Sequence, residues 1–299
     1  MTIEQKFIDQ FVNVTSKAAV ASYSYVGKKD KIAADKAAVD SIRNDLNQID
    51  IKGKIVIGEG ELDEAPMLYI GEKLGTGEGP RIDIAVDPLE GTNFAAKNLP
   101  GAMSVIAITL KNNLFNAPET YMNKIAINKN IPNDAVDLDN SIKKNISNIA
   151  ESRNKDISKV RVCILNRPRH KEIIDQLNNL KVKLKLITDG DIAGALLVTD
   201  NKYDVDIFLG IGGGPEGVLA ASALSSFGCK FQGRFLFESS EDKKRAKSMG
   251  IKDFNKKYEI NELIRGESVF CATGITNGDL VKGVTVVDNE FHTETFVTH

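Results

Sequence analysis

The stretch IDIAVDPLEGT, residues 82–92, constrains this chain more than any other. Ile82, Ile84 and Val86 recur every second residue, the period of a β-strand. The strand is expected to break at Asp87-Pro88, because proline donates no ladder hydrogen bond. Asp87 and Glu90 then stand three residues apart at the mouth of a strand, where two carboxylates can converge on one hard divalent cation. Gly91 lets the backbone approach an anion closely, and Thr92 brings a hydroxyl and an amide to an expected helix start, where anions bind. A cation on one side and a phosphate on the other suit phosphate-ester hydrolysis. The plainer alternative is a strand that ends in an Asp-Pro turn with a threonine cap.

Bulk properties narrow the chemistry. The formal net charge is −2 over 299 residues, which argues against a protein living on phosphate-backbone electrostatics. Tryptophan is absent and aromatics are 6%, so base-stacking platforms are not expected. No nucleic-acid partner is expected. Cys163, Cys229 and Cys271 are widely spaced in apolar surroundings and read as reduced, buried thiols. The histidines are His170, His292 and His299, too few for a His/Cys zinc cluster, so a metal site has to be built from oxygen. The N-terminal stretch MTIEQKFIDQFVNV lacks a signal h-region, and no apolar run approaches the ~18 residues of a membrane span. A soluble, cytoplasmic protein with no membrane partner is expected.

Spacing predicts an amphipathic helix over about 2–25, through Ile3, Phe7, Phe11, Val14 and Ala18, and a second over 31–46, through Ala34, Ala38, Ile42 and Leu46. Asp35 lies on the second helix, offset from its apolar face. By spacing alone it reads as a solvated acid of the first turn rather than as a metal ligand. A short strand at 54–57 stops at Gly58-Glu59-Gly60-Glu61, where glycines on both sides would let Glu59 protrude. Residues 65–74 read as a helix with Pro66 in its first turn. After Thr92, β-like segments at 104–110, 121 and 125–127 are joined by short turns, which implies antiparallel pairing. A helix is expected over 138–150, and a domain boundary near 152: residues 1–152 as a metal-binding α+β half, and 153–299 as an α/β substrate-binding half.

The second half alternates strand and helix, the rhythm of a parallel or mixed sheet covered by helices. Ligands in such sheets bind beyond the carboxyl ends of the strands. The three turns found there are Asn166-Arg167-Pro168-Arg169, Thr188-Asp189-Gly190-Asp191 and Gly210-Ile211-Gly212-Gly213-Gly214-Pro215-Glu216, and they read as one site wall. Gly212, Gly214 and Gly217 also match the dinucleotide fingerprint G-x-G-x-x-G, so a nucleotide-dependent oxidoreductase is the rival from another class. Pro215 removes an amide that would face the pyrophosphate, and Glu216 puts a negative charge where that anion would sit. The charged run 241–247 reads as a solvated helix face.

The string D-P-L-E-G-T resembles the metal signature of the inositol monophosphatase and fructose-bisphosphatase superfamily. Together with IVIGEGELDEAPMLYIGEKL at 55–74, Tyr121-Met122, Arg167-Pro168-Arg169-His170, Asp189-Gly190-Asp191 and GIGGGPEG from Gly210, it resembles class II fructose-1,6-bisphosphatase of the bacterial GlpX type over nearly the whole chain. Glu90 in place of the aspartate of many relatives, and GGGPEG in place of W-D-x-A-A, fit GlpX rather than inositol monophosphatases.

The resemblance implies a sugar-phosphatase fold: an α/β (α+β) layered sandwich with an N-terminal antiparallel sheet and helices and a C-terminal α/β half. It implies hydrolysis of the 1-phosphate of D-fructose 1,6-bisphosphate, with Mg²⁺ or Mn²⁺ as cofactor, a sugar bisphosphate as small-molecule partner, and a homo-oligomer. Asp35, Glu59, Asp87, the Leu89 carbonyl, Glu90 and Glu216 are the implied metal ligands. Thr92, Asp63 and Lys31 are the implied catalytic residues. Substrate contacts are implied at Glu90, Gly91, Thr92, Tyr121, Arg167, Pro168, Arg169, Asp189, Gly190, Asp191 and Gly213. Two arginines flanking a proline form a stiff clamp suited to a second, non-reacting phosphate. Sedoheptulose 1,7-bisphosphate, inositol monophosphate and a non-catalytic sugar-phosphate sensor are the alternatives.

Overall fold

The structure, a computed structural model, describes residues 3–58 and 68–299. Chain contacts divide it into two compact units, Met1–Asn116 with Ile264–His299, and Ala117–Leu263.

The chain opens with α1 (Gln5–Tyr23), whose buried residues Phe7, Phe11, Val14 and Ala18 follow the expected spacing. Helix α2 (Lys31–Leu46) is capped by the Asp30 side chain, which accepts from the Ala33 N–H. Strands β1 (Lys52–Ile57), β2 (Lys73–Leu74) and β3 (Arg81–Glu90) follow, then α3 (Thr92–Lys97) and β4 (Met103–Leu110).

The second unit begins with β5 (Tyr121–Ile127) and α4 (Ile142–Ser152). It continues through β6 (Arg161–Leu165), α5 (Lys171–Asn179), β7 (Lys183–Ile187), α6 (Asp191–Leu196), β8 (Ile207–Gly213) and α7 (Gly214–Ser226). It closes with β9 (Lys230–Leu236), α8 (Ser240–Ser248), β10 (Tyr258–Glu259) and α9 (Ile260–Leu263). The chain then returns to the first unit as β11 (Ser268–Gly274), β12 (Thr285–Val287), β13 (Glu290–His292) and β14 (Thr295–Thr298).

The first unit holds a six-stranded sheet in the order β14-β11-β4-β3-β1-β2. It is mixed rather than antiparallel as expected, because β1 runs parallel to β3. Ile82, Ile84 and Val86 of β3 pack with Ile106, Ile108, Cys271 and the apolar stripes of α1 and α2 in one core. The second sheet, order β10-β9-β5-β8-β6-β7, is also mixed: β6 is parallel to β7 and β8, while β5 is antiparallel to β8 and β9.

Several expectations need correction. Strand β3 does not break at Asp87-Pro88. It runs on to Glu90, with a register shift against β4 between Asp87 and Glu90, so the proline sits in a bulge that needs no ladder donor there. Residues 68–72 are not helical, and Lys73 and Leu74 pair with Lys54 and Gly53 as a strand. Glu72 is instead buried in a two-bonded pair with Arg43. Helix α4 starts at Ile142, where Ser141 accepts from the Lys144 N–H, later than the expected 138.

Strand β5 does not pair with β4 but lies in the other sheet, and β11 and β14 join the first sheet. The division therefore falls after Asn116 and after Leu263 rather than at 152. Helix α4 cannot mark an edge, since Ile146 and Ile149 lie in the core of the second unit with Ile125, Val162 and Ile207. Residues 284–287 read as β-like in the sequence, and the structure pairs β12 there with β13 as a hairpin. Asp288 and Asn289 turn it with φ of 50° and 65°, the left-handed pair such tight turns require.

Candidate active site

In the first unit the bulge gathers the signature residues. Asp87 is opposite Val105 and Glu90 opposite Met103, so two residues, Pro88 and Leu89, stand against Ser104 alone and the bulge holds one extra residue. Leu89 is 2% exposed and packs with Ala34, Phe94 and Ala95, anchoring the turn from below. Glu90 is buried and Asp87 half-buried. Gly91 follows in the left-handed region, with φ 77° and ψ 48°, and Thr92 is the first residue of α3. Any other residue at Gly91 would be strained, and its Cβ would stand 2.9 Å from the Phe94 ring. Helix α2 packs against β3 and α3, which sets the helix of Asp35 beside this turn. Asp35 is half-buried with Oδ1 enclosed, so the reading as a fully solvated acid does not hold. Lys31 is exposed at the first residue of α2. Glu59 and Asp63 lie outside the described residues.

In the second unit the three turns come together. Arg167 Nη2 donates to Asp189 Oδ1 at 3.2 Å, joining the first turn to the second. Arg169 Nε donates to the Ile211 carbonyl at 2.8 Å, joining the first to the third, and its guanidinium lies 4.8 Å from the Tyr121 ring centroid. The Ile211 N–H donates to His170 Nε2 at 2.7 Å. His170 is fully buried, and burial, with Arg169 nearby, lowers its pKa below the ordinary 6.5. It is thus an uncharged acceptor that ties the turns together. Pro168 starts the short turn before α5, and Gly190 is left-handed at φ 80° before α6.

Gly213 and Glu216 explain each other. A Cβ at Gly213 would lie 1.5 Å from Glu216 Oε2, so the glycine makes room for a carboxylate folded back onto its own turn. Burial raises the Glu216 carboxyl pKa, with Lys124 opposing the shift and Asp191 reinforcing it. Gly217 of the dinucleotide-like fingerprint serves close helix–strand packing: its Cβ would meet Met122 Sδ at 2.7 Å and Lys124 Cδ at 3.1 Å. The acid beside Gly213 occupies the place where that fingerprint would seat a pyrophosphate. A cavity of about 390 Å³ opens beside Tyr121 and Gly213, lined also by Pro215 and the acids Glu119, Glu238 and Asp242.

Sequence reasoning missed Lys124. It sits on the central strand β5, 2% exposed, pairs with Asp191 and donates to the Gly213 carbonyl at 2.7 Å. Its signal was available: a lysine at an alternating position of YMNKIAI, where an apolar residue is the rule.

All the candidate metal donors are oxygens, which is the chemistry of a hard divalent cation. Among the described residues no group of three His, Cys, Asp or Glu stands together as a ready cluster. Glu59, implied as a ligand, is outside that set. Asp87, the Leu89 carbonyl and Glu90 fit such an ion by type and by their place on one bulge. Among the described residues no helix is long and apolar enough to cross a membrane.

A family model described as "Bacterial fructose-1,6-bisphosphatase, glpX-encoded" matches residues 5–299. The chain belongs to this family. It is 42% identical over 302 residues to "Fructose-1,6-bisphosphatase class 2" of Haemophilus influenzae, covering 96% of this chain and 90% of that protein. It is 41% identical over 313 residues to "D-fructose 1,6-bisphosphatase class 2/sedoheptulose 1,7-bisphosphatase" of Synechococcus sp. (strain JA-3-3Ab), with the same coverages of 96% and 90%. Among solved structures, an inositol monophosphatase from Anabaena aligns over 64% of this chain and 69% of its own, at 16% identity and a TM-score of 0.32, too slight a likeness to carry an argument.

Proposed function

We propose that the protein is a phosphoric monoester hydrolase that removes the 1-phosphate of D-fructose 1,6-bisphosphate, giving fructose 6-phosphate and phosphate, as in gluconeogenesis. Family membership over residues 5–299 supports the substrate. The observation that carries the reading at the residue level is the bulged end of β3. Within one turn it offers two carboxylates, a carbonyl, a left-handed glycine and a threonine at a helix start.

In the first unit Asp35, Asp87, the Leu89 carbonyl and Glu90 would hold Mg²⁺ or Mn²⁺, which would neutralise phosphate oxygens and acidify a water. Glu59, outside the described residues, and Glu216 of the second unit are the further ligands the family resemblance implies. Thr92 orients the attacking water through its hydroxyl, while the Gly91 and Thr92 amides hold the phosphoryl oxygens. Asp63 helps to hold the water and receives its proton. Lys31 adds a mobile ammonium for the phosphoryl group. A bond forms from the water oxygen to phosphorus as the bond from phosphorus to the sugar O1 breaks, and the proton ends on the departing alkoxide. Arg167 and Arg169 bind the second phosphate, Arg169 stacked on Tyr121. The turn 189–191 supplies acceptors for sugar hydroxyls.

The test is phosphate release from fructose 1,6-bisphosphate, sedoheptulose 1,7-bisphosphate, fructose 1-phosphate and inositol 1-phosphate, with Mg²⁺, with Mn²⁺ and with chelator. One phosphate released from fructose 1,6-bisphosphate, abolished by chelator and faster than from either monophosphate, is expected. Preference for the sedoheptulose ester would move the substrate within the class, and no release from any ester by folded protein would sink the reading.

A further inference from the structure

A lysine almost wholly withdrawn from water, in the middle of a central strand, needs a reason. Lys124 projects from β5 on the same face as Met122 and Ala126, and its aliphatic stem passes over Gly217 of α7. Transfer of an ammonium to such a place is unfavourable unless each donor finds an acceptor, and an apolar side chain would serve packing at least as well. Its acceptors come from two different turns: Asp191 Oδ2, at the start of α6, and the Gly213 carbonyl, at the end of β8.

The second of these is the residue against whose Cα the Glu216 carboxylate is folded. The ammonium therefore sits behind two acids at once, one in the turn 189–191 and one in the turn 210–216. Asp191 Oδ1 is buried without a hydrogen-bond partner among the described residues, so Lys124 is the side chain that fixes this carboxylate.

We infer that Lys124 is a positioning residue, which clasps Asp191 and the Gly213 carbonyl so that the Asp189–Asp191 turn and the Glu216 turn form one rigid wall. This rests on the function proposed above, in which those turns bind substrate and Glu216 binds the cation. Lys124 bonds to Asp191 and to the Gly213 carbonyl. It acts by holding Glu216 and Asp191 in place, as partners behind metal ligands do, where loss typically costs 10–100-fold in metal affinity or activity.

The experiment compares wild type with Lys124→Met, which keeps the stem and removes the charge, and with Lys124→Gln, which can still donate to the Gly213 carbonyl. Mn²⁺ binding is read directly by electron paramagnetic resonance without substrate, and kcat and KM are read separately with saturating metal. The expected result for Lys124→Met is a cooperative thermal transition, Mn²⁺ affinity lowered about 10-fold or more, and kcat lowered more than KM is raised, with Lys124→Gln intermediate. A merely structural lysine would shift the thermal midpoint and leave both metal affinity and kcat unchanged. If Lys124→Met fails to fold, the glutamine variant decides alone, and values within twofold of wild type overturn the inference. Wild-type protein that neither binds Mn²⁺ nor releases phosphate from any ester removes the function and the inference together. Active wild type with unaffected variants removes the inference alone.

Discussion

At the scale of single residues, the candidate site depends on a few side chains whose geometry leaves them little freedom. Thr92 is placed at the first position of α3 by a glycine that no other residue replaces without strain. Its replacement by alanine removes the hydroxyl and one methyl of a half-buried side chain, so Thr92→Ala is expected to lower kcat roughly 10²-fold or more while KM holds and the thermal midpoint moves little. A variant with wild-type turnover would remove Thr92 from the reaction.

Arg167 donates to Asp189, and in the function proposed above it binds the second phosphate. Arg167→Ala is accordingly expected to raise KM for a sugar bisphosphate at least tenfold more than KM for a monophosphate ester, a difference of about 1.4 kcal/mol. Equal effects on both would end the clamp argument. His170 titrates in a foreseeable direction. Because its pKa is lowered on folding, the unfolded chain takes up the proton first as pH falls below 6.5. Its contribution is fully present above that pH and is lost progressively below it. The thermal midpoint of wild type should therefore fall between pH 7 and 5 by more than that of His170→Gln, which offers an uncharged acceptor to the Ile211 N–H. The reverse order would show that His170 is charged in the folded protein.

Elements follow their local signals where burial is one-sided and depart from them where tertiary pairing intervenes. Helix α2 begins and ends where its spacing put it, and its cap is a plain Asp30. Strand β3 shows the other case: the sequence says that Pro88 cannot donate, but only the pairing with β4 decides that the strand bulges rather than stops. Asp83 belongs to this scale as well. It is buried on β3 and accepts from the Asn112 N–H, so it pins the turn that follows β4. Burial raises its pKa against the pull of those backbone donors. Asp83→Ala leaves that turn's donors unmet and is expected to cost about 1–3 kcal/mol in denaturant unfolding, without change in KM. A loss under about 0.5 kcal/mol, the range of an ordinary surface change, would mean that water satisfies the turn. Residues 68–74 mislead in the opposite sense, since helix-forming residues there are drawn into a strand pair and an Arg43–Glu72 bond that no local window contains.

For the whole molecule, the decisive feature is that the last segment returns to the first. Strand β11 lies between β4 and β14, and Val269 and Cys271 share a core with α1 and α2. Removal of residues 264–299 would strip one side of β4 of its partner and expose that core. The truncated protein is expected to lose cooperative unfolding of the first unit, as read by calorimetry. A truncated chain with the wild-type transition would show that the returning strands are dispensable. The three cysteines are buried, and burial pushes the Cys271 thiol up to about 12. A thiol reagent at pH 8 should label none of them within minutes until denaturant is added, whereas rapid labelling of native protein would contradict this burial.

The chemistry of the candidate site was legible without a structure because it resides in residue types that have few other uses together. Asp87, Glu90, Gly91 and Thr92 in one run, two arginines about a proline, and an acid inside a glycine-rich turn each announce a charge to be bound. The alternation of strands and helices in the second half was legible for a similar reason, since amphipathic period is a local property. The sequence by itself determined these things. Which strands share a sheet, where the two units divide, and why a lysine lies buried on β5 were settled only by the tertiary structure. Those facts depend on contacts between residues far apart in the chain, such as Cys271 with Ile106 or Lys124 with Asp191, whose energies no local pattern records.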